Sequence, residues 1–170
     1  MERLLSRLAD GASGRKGKPF IVKRYQHRVW LTRPRSEVDR VGAAWLIHRV
    51  IDTRGTFVFA GDRTAHPEAL PYDLVGVAFG HHGDDGTFET MLKRFSIEDA
   101  ALKKVVPFLH DAGLGDGRHG TPEGAGLLAV FRGWAQMGWT GHEIPERGFD
   151  CFDALLSELS TRERNHTKRS

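Results

Sequence analysis

Residues 29–52 read VWLTRPRSEVDRVGAAWLIHRVID, and residues 56–60, a few positions on, read TFVFA. These two stretches decide the fold. RVWLT, over residues 28–32, has the apolar, β-favouring character of a strand, and Pro34 ends it because proline has no N–H to give to a ladder. Ser36 then opens a helix: its hydroxyl can cap the first turn while Asp39, three residues on, reaches back as in a capping box. Val41, Ala44, Trp45 and Ile51 fall on its buried face. TFVFA is the next strand, so strand, helix and strand in succession predict a right-handed βαβ unit.

Working outward, LVGVAF at residues 74–79 is rich in Val and bounded by Gly, Asp and Pro, which predicts a third buried strand. The pattern then turns helical over residues 87–95, 96–112, 122–137 and 149–159, with Leu102, Val105, Val106 and Leu109 on one side of the second segment. The expected class is mixed α/β and helix-rich: a small sheet of about three strands with a βαβ start, covered and extended by four to five helices. No internal repeat interrupts it.

The 170 residues suffice for one domain with a real core and are too few for two comfortable ones. Formal net charge is +3, but the ends carry it. Residues 1–28 hold eight Lys/Arg against two acids, and residues 158–170 hold four against two, which leaves the body at net −5. The expected limits are therefore a basic segment and linker at 1–28, the folded domain at 29–157, and a basic tail without fixed structure at 158–170. Leucines 4, 5 and 8 mark one short helical face within the first segment. An acidic body argues against specific nucleic-acid binding by the domain, although the basic ends could touch phosphate. The single cysteine, Cys151, excludes an internal disulfide and any CxxC motif. The first residues lack the apolar run of a signal peptide, and no stretch is long enough to span a bilayer, so the expected location is the cytoplasm, without membrane contact.

Three constellations bear chemistry. FGHHGDDGTFE, residues 79–89, leaves an expected strand, turns on glycines and enters a helix, presenting His81, His82, Asp84, Asp85 and Glu89. Neighbours on an extended segment point to opposite sides, so only one of His81 and His82 faces a given pocket. Glu89 is equally explained as a partner for the helix dipole. His110-Asp111, with Asp116 following, sits at the end of the second helical segment beside its apolar stripe, where an imidazole needs a polar partner or a ligand. A cationic His stabilising a helix C-terminus is the alternative. His81, Glu89 and His110 together make two imidazoles and a carboxylate, a set suited to a divalent first-row metal, Fe, Mn or Zn, with open positions. Asp111 and Asp39 are the candidates for orienting a ligand or relaying a proton. The third feature is TRPR at residues 32–35 followed by Asp39-Arg40. Arg33, Arg35 and Arg40 lie where a strand gives way to a helix N-terminus, a combination that favours a small oxyanion. A surface salt bridge to Glu37 or Asp39 is the plainer reading of the same arginines.

The blocks TRPRSEVDRVGAAWLIHRVID (32–52), FGHHGDDGTFE (79–89) and HDAGLGDGR (110–118) resemble, in the same order, the signatures of the carboxyl-terminal domain of ChrB-type chromate-resistance proteins. PEGAGLLAVFRG (122–133) and FDALLSEL (152–159) extend the likeness. The resemblance implies a role in bacterial chromate resistance, as a chromate-responsive regulator or accessory protein. His81, Glu89, His110, Asp111, Arg33, Arg35, Asp39 and Arg40 stand at matching motif positions. Longer family members carry a further amino-terminal region, and the 28 residues before the first block show no DNA-reading motif, so a transcriptional role is not expected of this chain. Asp84-Asp85-Gly86 replaces the family's commoner cysteine-containing turn, and no thiol role is implied.

The leading expectation is thus a metal-containing, oxyanion-binding domain that acts on or senses chromate or a related small anion. Were it an enzyme, the open metal position would activate water or oxygen, or pass electrons. Two alternatives stand beside it: a metal-free module whose arginines bind an anion, and a structural protein whose basic ends bind nucleic acid.

Overall fold

The computed structural model describes residues 20–35, 37–114, 117–139 and 143–167. The leucine face near the amino terminus, the Ser36 cap and Asp116 lie outside the described residues.

Strand β1 (Val29–Thr32) is the centre of a three-stranded sheet of order β2-β1-β3. It pairs in parallel with β2 (Thr56–Phe59), from Val29 opposite Thr56 to Thr32 opposite Phe59, and with β3 (Leu70–Pro71) through Trp30 and Leu31. Parallel strands need a crossover, and helix α1 (Val38–Leu46) provides the one from β1 to β2. The predicted βαβ start and helix-rich α/β class are therefore present.

Every residue of α1 is buried. The periodic sequence predicts one buried face, but α1 packs against α2 (Thr87–Arg94), α3 (Ala100–Leu114), α4 (Pro122–Gln136) and α5 (Glu143–Thr167), so it is enclosed on all sides. Small residues make this possible. A methyl group on Gly42 would lie 2.9 Å from a Leu109 methyl on α3 and 3.3 Å from the Phe152 ring on α5. A single π-helical turn (Ile47–Ile51) extends α1 and delivers Asp52, which is fully buried. The Asp52 carboxylate accepts the backbone N–H groups of His27 and Arg28, both at 2.8 Å, and the Trp30 indole N–H at 3.0 Å, and so holds the entry to β1.

Three sequence expectations differ from the structure. LVGVAF does not form a strand: the third strand is Leu70–Pro71, and residues 74–78 coil, leaving only an isolated bridge between Tyr72 and Phe79. Asp73 and Gly76 take positive φ (52° and 75°), which breaks extended structure. Val75 is 98% exposed, whereas Val77 and Phe79 turn inward to plug the core, with Phe79 stacked on Phe95. Those inward apolar residues are what imitate a strand. The second helical segment begins at Ala100 rather than Ser96, because Ser96 (φ 51°) closes α2 in a Schellman motif. Ile97 N–H reaches the Leu92 carbonyl and Ser96 N–H the Lys93 carbonyl. Asp99 then caps α3 by accepting the Leu102 N–H. Finally, α5 starts at Glu143 and continues to Thr167, through positions expected to form a tail.

Asp52 yields a direct test of this framework. Asp52→Ala leaves three buried or half-buried N–H donors without their acceptor and is expected to cost about 3 kcal/mol. Urea unfolding followed by circular dichroism should show a correspondingly lower midpoint.

Candidate functional site

The carboxyl end of the sheet gathers the charged residues. Chain leaving β1 carries Arg33 and then the first turn of α1, with Asp39 and Arg40; chain leaving β3 carries Asp73; the turn before α2 carries His81. Open parallel sheets commonly place ligands at this edge, where successive crossovers part to either side of the central strand.

Arg40 is 1% exposed and donates from Nε to Asp73 Oδ2 at 2.7 Å. Its Nη2 lies 3.4 Å from Glu37, and its buried Nη1 has no hydrogen-bond partner among the described residues. Arg33, half exposed, approaches the same Asp73 oxygen at 3.8 Å. The other Asp73 oxygen accepts the Thr87 hydroxyl at 2.8 Å and faces His81 Nε2 at 3.3 Å. Among the described residues, Asp39 reaches across to α2. Its Oδ2 accepts the Thr87 N–H at 3.1 Å and lies 3.2 Å from His81 Nε2. One imidazole nitrogen thus sits between two carboxylates.

The electrostatics follow. Hydrogen bonds to Asp39 and then Asp73 raise the His81 pKa to about 10 against the opposing effect of burial, so His81 is an imidazolium at neutral pH. Burial alone would push the Asp73 carboxyl up, but the hydrogen bond from His81, the Arg40 charge and the Thr87 hydroxyl hold it below the usual range. Burial, and secondarily the Asp73 charge, keep the adjacent Tyr72 phenol protonated, its hydroxyl without a partner among the described residues.

Asp39, Arg40, Arg33 and His81, all expected at the site, therefore meet. Glu89 and His110 line a narrow crevice on another side of Asp39, together with Gly86, Phe88, Val106 and Leu109. Glu89 pairs with Lys93 at 2.9 Å, and Lys93 also holds Asp85. His81, Glu89 and His110 do not make one donor set: the groups whose donor atoms lie within 4.8 Å of each other are Asp39, Asp73 and His81, and separately His110, Asp111 and His119. Asp111 fastens the turn after α3, accepting the N–H groups of His119 (2.8 Å) and Thr121 (2.7 Å) and the Thr121 hydroxyl (2.7 Å). Arg35 is exposed and has no ion pair with a described residue. Asp73 is not among the sequence candidates because the Val-rich run after it resembles a strand and the two-residue strand before it does not; PYD as a strand end is the available signal. His119 had no signal beyond its glycine-rich surroundings.

Fold and site together define a helix-rich α/β domain with a carboxylate–histidine–guanidinium centre at the carboxyl end of a small parallel sheet. The chain belongs to the family described as "ChrB, C-terminal domain", whose profile matches residues 30–159. It is 41% identical over 113 residues to Protein ChrB of Cupriavidus metallidurans, an alignment covering 64% of this chain and 34% of that protein. The chain thus spans about a third of the length of the curated relative it matches. No solved structure matches it.

Two predictions follow from the geometry. A methyl group on Gly80 would fall 2.1 Å from the Leu74 carbonyl oxygen, a backbone atom that cannot rotate aside. Gly80→Ala should therefore displace the adjacent His81, seen as a change in its ring NMR signals, and destabilise the fold by about 1–3 kcal/mol. For Asp111, burial acts upward, but the N–H groups of Thr121 and His119 and the Thr121 hydroxyl outweigh it and lower the pKa to about 2. A lowered folded-state pKa gives stability present above the unfolded value of 3.8 and lost as pH falls toward 2. Urea midpoints should accordingly drop across that interval, and Asp111→Asn should remove this part of the drop.

Proposed function

We propose that this domain holds one divalent first-row metal, Fe, Mn or Zn, on Asp39, Asp73 and His81, and binds a small oxyanion beside it through Arg33 and Arg40. In that role it acts on or senses chromate or a related anion, in keeping with the chromate-resistance association of ChrB-type proteins. The observation that carries the reading is the convergence of two carboxylates and an imidazole beside a buried guanidinium that still has an unengaged N–H. Asp39 and Asp73 take the positions that the sequence reading assigned to Glu89 and His110.

Charge supports the pairing of metal and dianion. Two carboxylates and two guanidinium groups cancel, so a dication on a neutral His81 leaves two positive charges, the complement of chromate or sulfate. Binding the metal costs His81 its proton. The exposed halves of His81 and Arg33 give solvent and ligand a way in.

Metal analysis by mass spectrometry on tag-free protein tests this. About one equivalent is expected at this site, read as the equivalent that the native chain holds and that His81→Ala binds at least tenfold more weakly. Chromate or sulfate should bind at least tenfold more weakly after chelation. Less than a tenth of an equivalent, with no uptake on reconstitution, overturns the reading.

A second reading has its own support in the protonation of His81. As an imidazolium it already neutralises the aspartates without a metal. In that version the arginines bind the anion alone, and calorimetry would show binding that survives chelation and His81→Ala but is lost in Arg33→Ala.

A further inference from the structure

We infer that His110, Asp111 and His119 form a second divalent-cation site, of the imidazole-rich kind that takes Zn(II), at the junction of α3 and α4. It does not depend on the site at Asp73.

His110 projects from the last full turn of α3 and is 8% exposed, with both ring nitrogens buried. His119 lies in the exposed turn that returns the chain to α4, and its ring stands 4.8 Å from that of His110, nearly perpendicular. One donor atom from each of His110, Asp111 and His119 lies within 4.8 Å of the other two. Ligands about 2.1 Å from a shared tetrahedral ion are separated by about 3.4 Å, so each pair needs to close by no more than about 1.4 Å.

The turn is built to keep these groups together. Asp111 Oδ2 is filled by the N–H and hydroxyl of Thr121, whereas Oδ1 accepts, among the described residues, only the His119 N–H and retains a lone pair. The hydrogen bond to Oδ1 also anchors the backbone of His119. Gly124 lets α4 start close to α3, since a methyl group there would meet the Phe108 carbonyl at 2.8 Å and Asp111 Cβ at 2.9 Å. Two imidazoles and one carboxylate favour Zn(II), Ni(II) or Cu(II) over the all-oxygen preference of Mg(II) or Ca(II).

Occupancy would clamp the 117–121 turn to α3. Arg118, in that turn, reaches Asp84 at 3.5 Å, and Asp84 belongs to the segment that carries His81. A cation here would therefore steady the wall of the first site without touching its ligands.

Zn(II) titration of the full-length, tag-free, metal-stripped chain separates the two sites. His119→Ala should lose one site or bind Zn(II) there at least tenfold more weakly, while His81→Ala, which removes a half-exposed ligand of the first site and keeps the Arg40–Asp73 pair, retains it. In His81→Ala, the first equivalent of Zn(II) should shift the ring NMR signals of His110 and His119. Equal number and affinity of sites in His119→Ala and the native chain would overturn the inference, as would unmoved His110 and His119 signals in His81→Ala. Failure of the Asp73 site alone would appear as native Zn(II) binding in His81→Ala with full loss in His119→Ala. His119 is exposed, so its replacement should leave the thermal midpoint unchanged; the His81→Ala arm decides the matter even if it does not.

Discussion

The Arg40–Asp73 ion pair, closed at 2.7 Å between side chains almost wholly sealed from water, is the constraint from which the rest of the site follows. Helix α1 is enclosed by four other helices, yet its first turn carries two charged residues. An uncompensated guanidinium there would cost several kcal/mol, so a carboxylate must meet it. Asp73 does, and its place at the end of β3 obliges the chain to turn there. Its second oxygen then collects Thr87 and His81, and the centre assembles around it.

Two helix N-termini converge on the same centre. The first turn of α1 supplies Asp39 and Arg40, and the first residue of α2, Thr87, donates its N–H to Asp39. The positive ends of both dipoles, with Arg40 and the His81 imidazolium, allow two carboxylates to stand close together. An acidic pair is thereby embedded in a positive surround. Carboxylate acceptors and guanidinium donors thus stand side by side in one small region.

The opening of the fold was legible because local signals agree: a β-favouring run, a proline, a periodic apolar helix and a second β-favouring run all point to one unit. The third strand was not, because Val77 and Phe79 are apolar for the sake of the core and not of a ladder. The start of α3 was hidden by Ser96, which takes the left-handed conformation where a glycine would have marked the break. At the site, the residues attached to α1 and the turn before α2 could be read from sequence, since motif and element end coincide. The grouping could not. Whether His81 pairs with His110 or with Asp39 and Asp73 depends on how α1, α2 and α3 stack, which is long-range geometry that no local spacing encodes. Among the described residues no helix is long and apolar enough to cross a membrane.

The two-residue strand β3 has a consequence for how chains meet one another. Tyr72 N–H points inward to the Leu31 carbonyl, so the preceding residue, Pro71, turns its nitrogen to the outer edge. That nitrogen carries no hydrogen. An incoming strand would find no donor at Pro71, and the next outward N–H, that of Asp73, is already given to the Phe79 carbonyl at 2.8 Å, so the sheet is closed to growth on this side by chemistry and by cover together. Proline and bridge thus guard this edge of the sheet against edge-to-edge self-assembly.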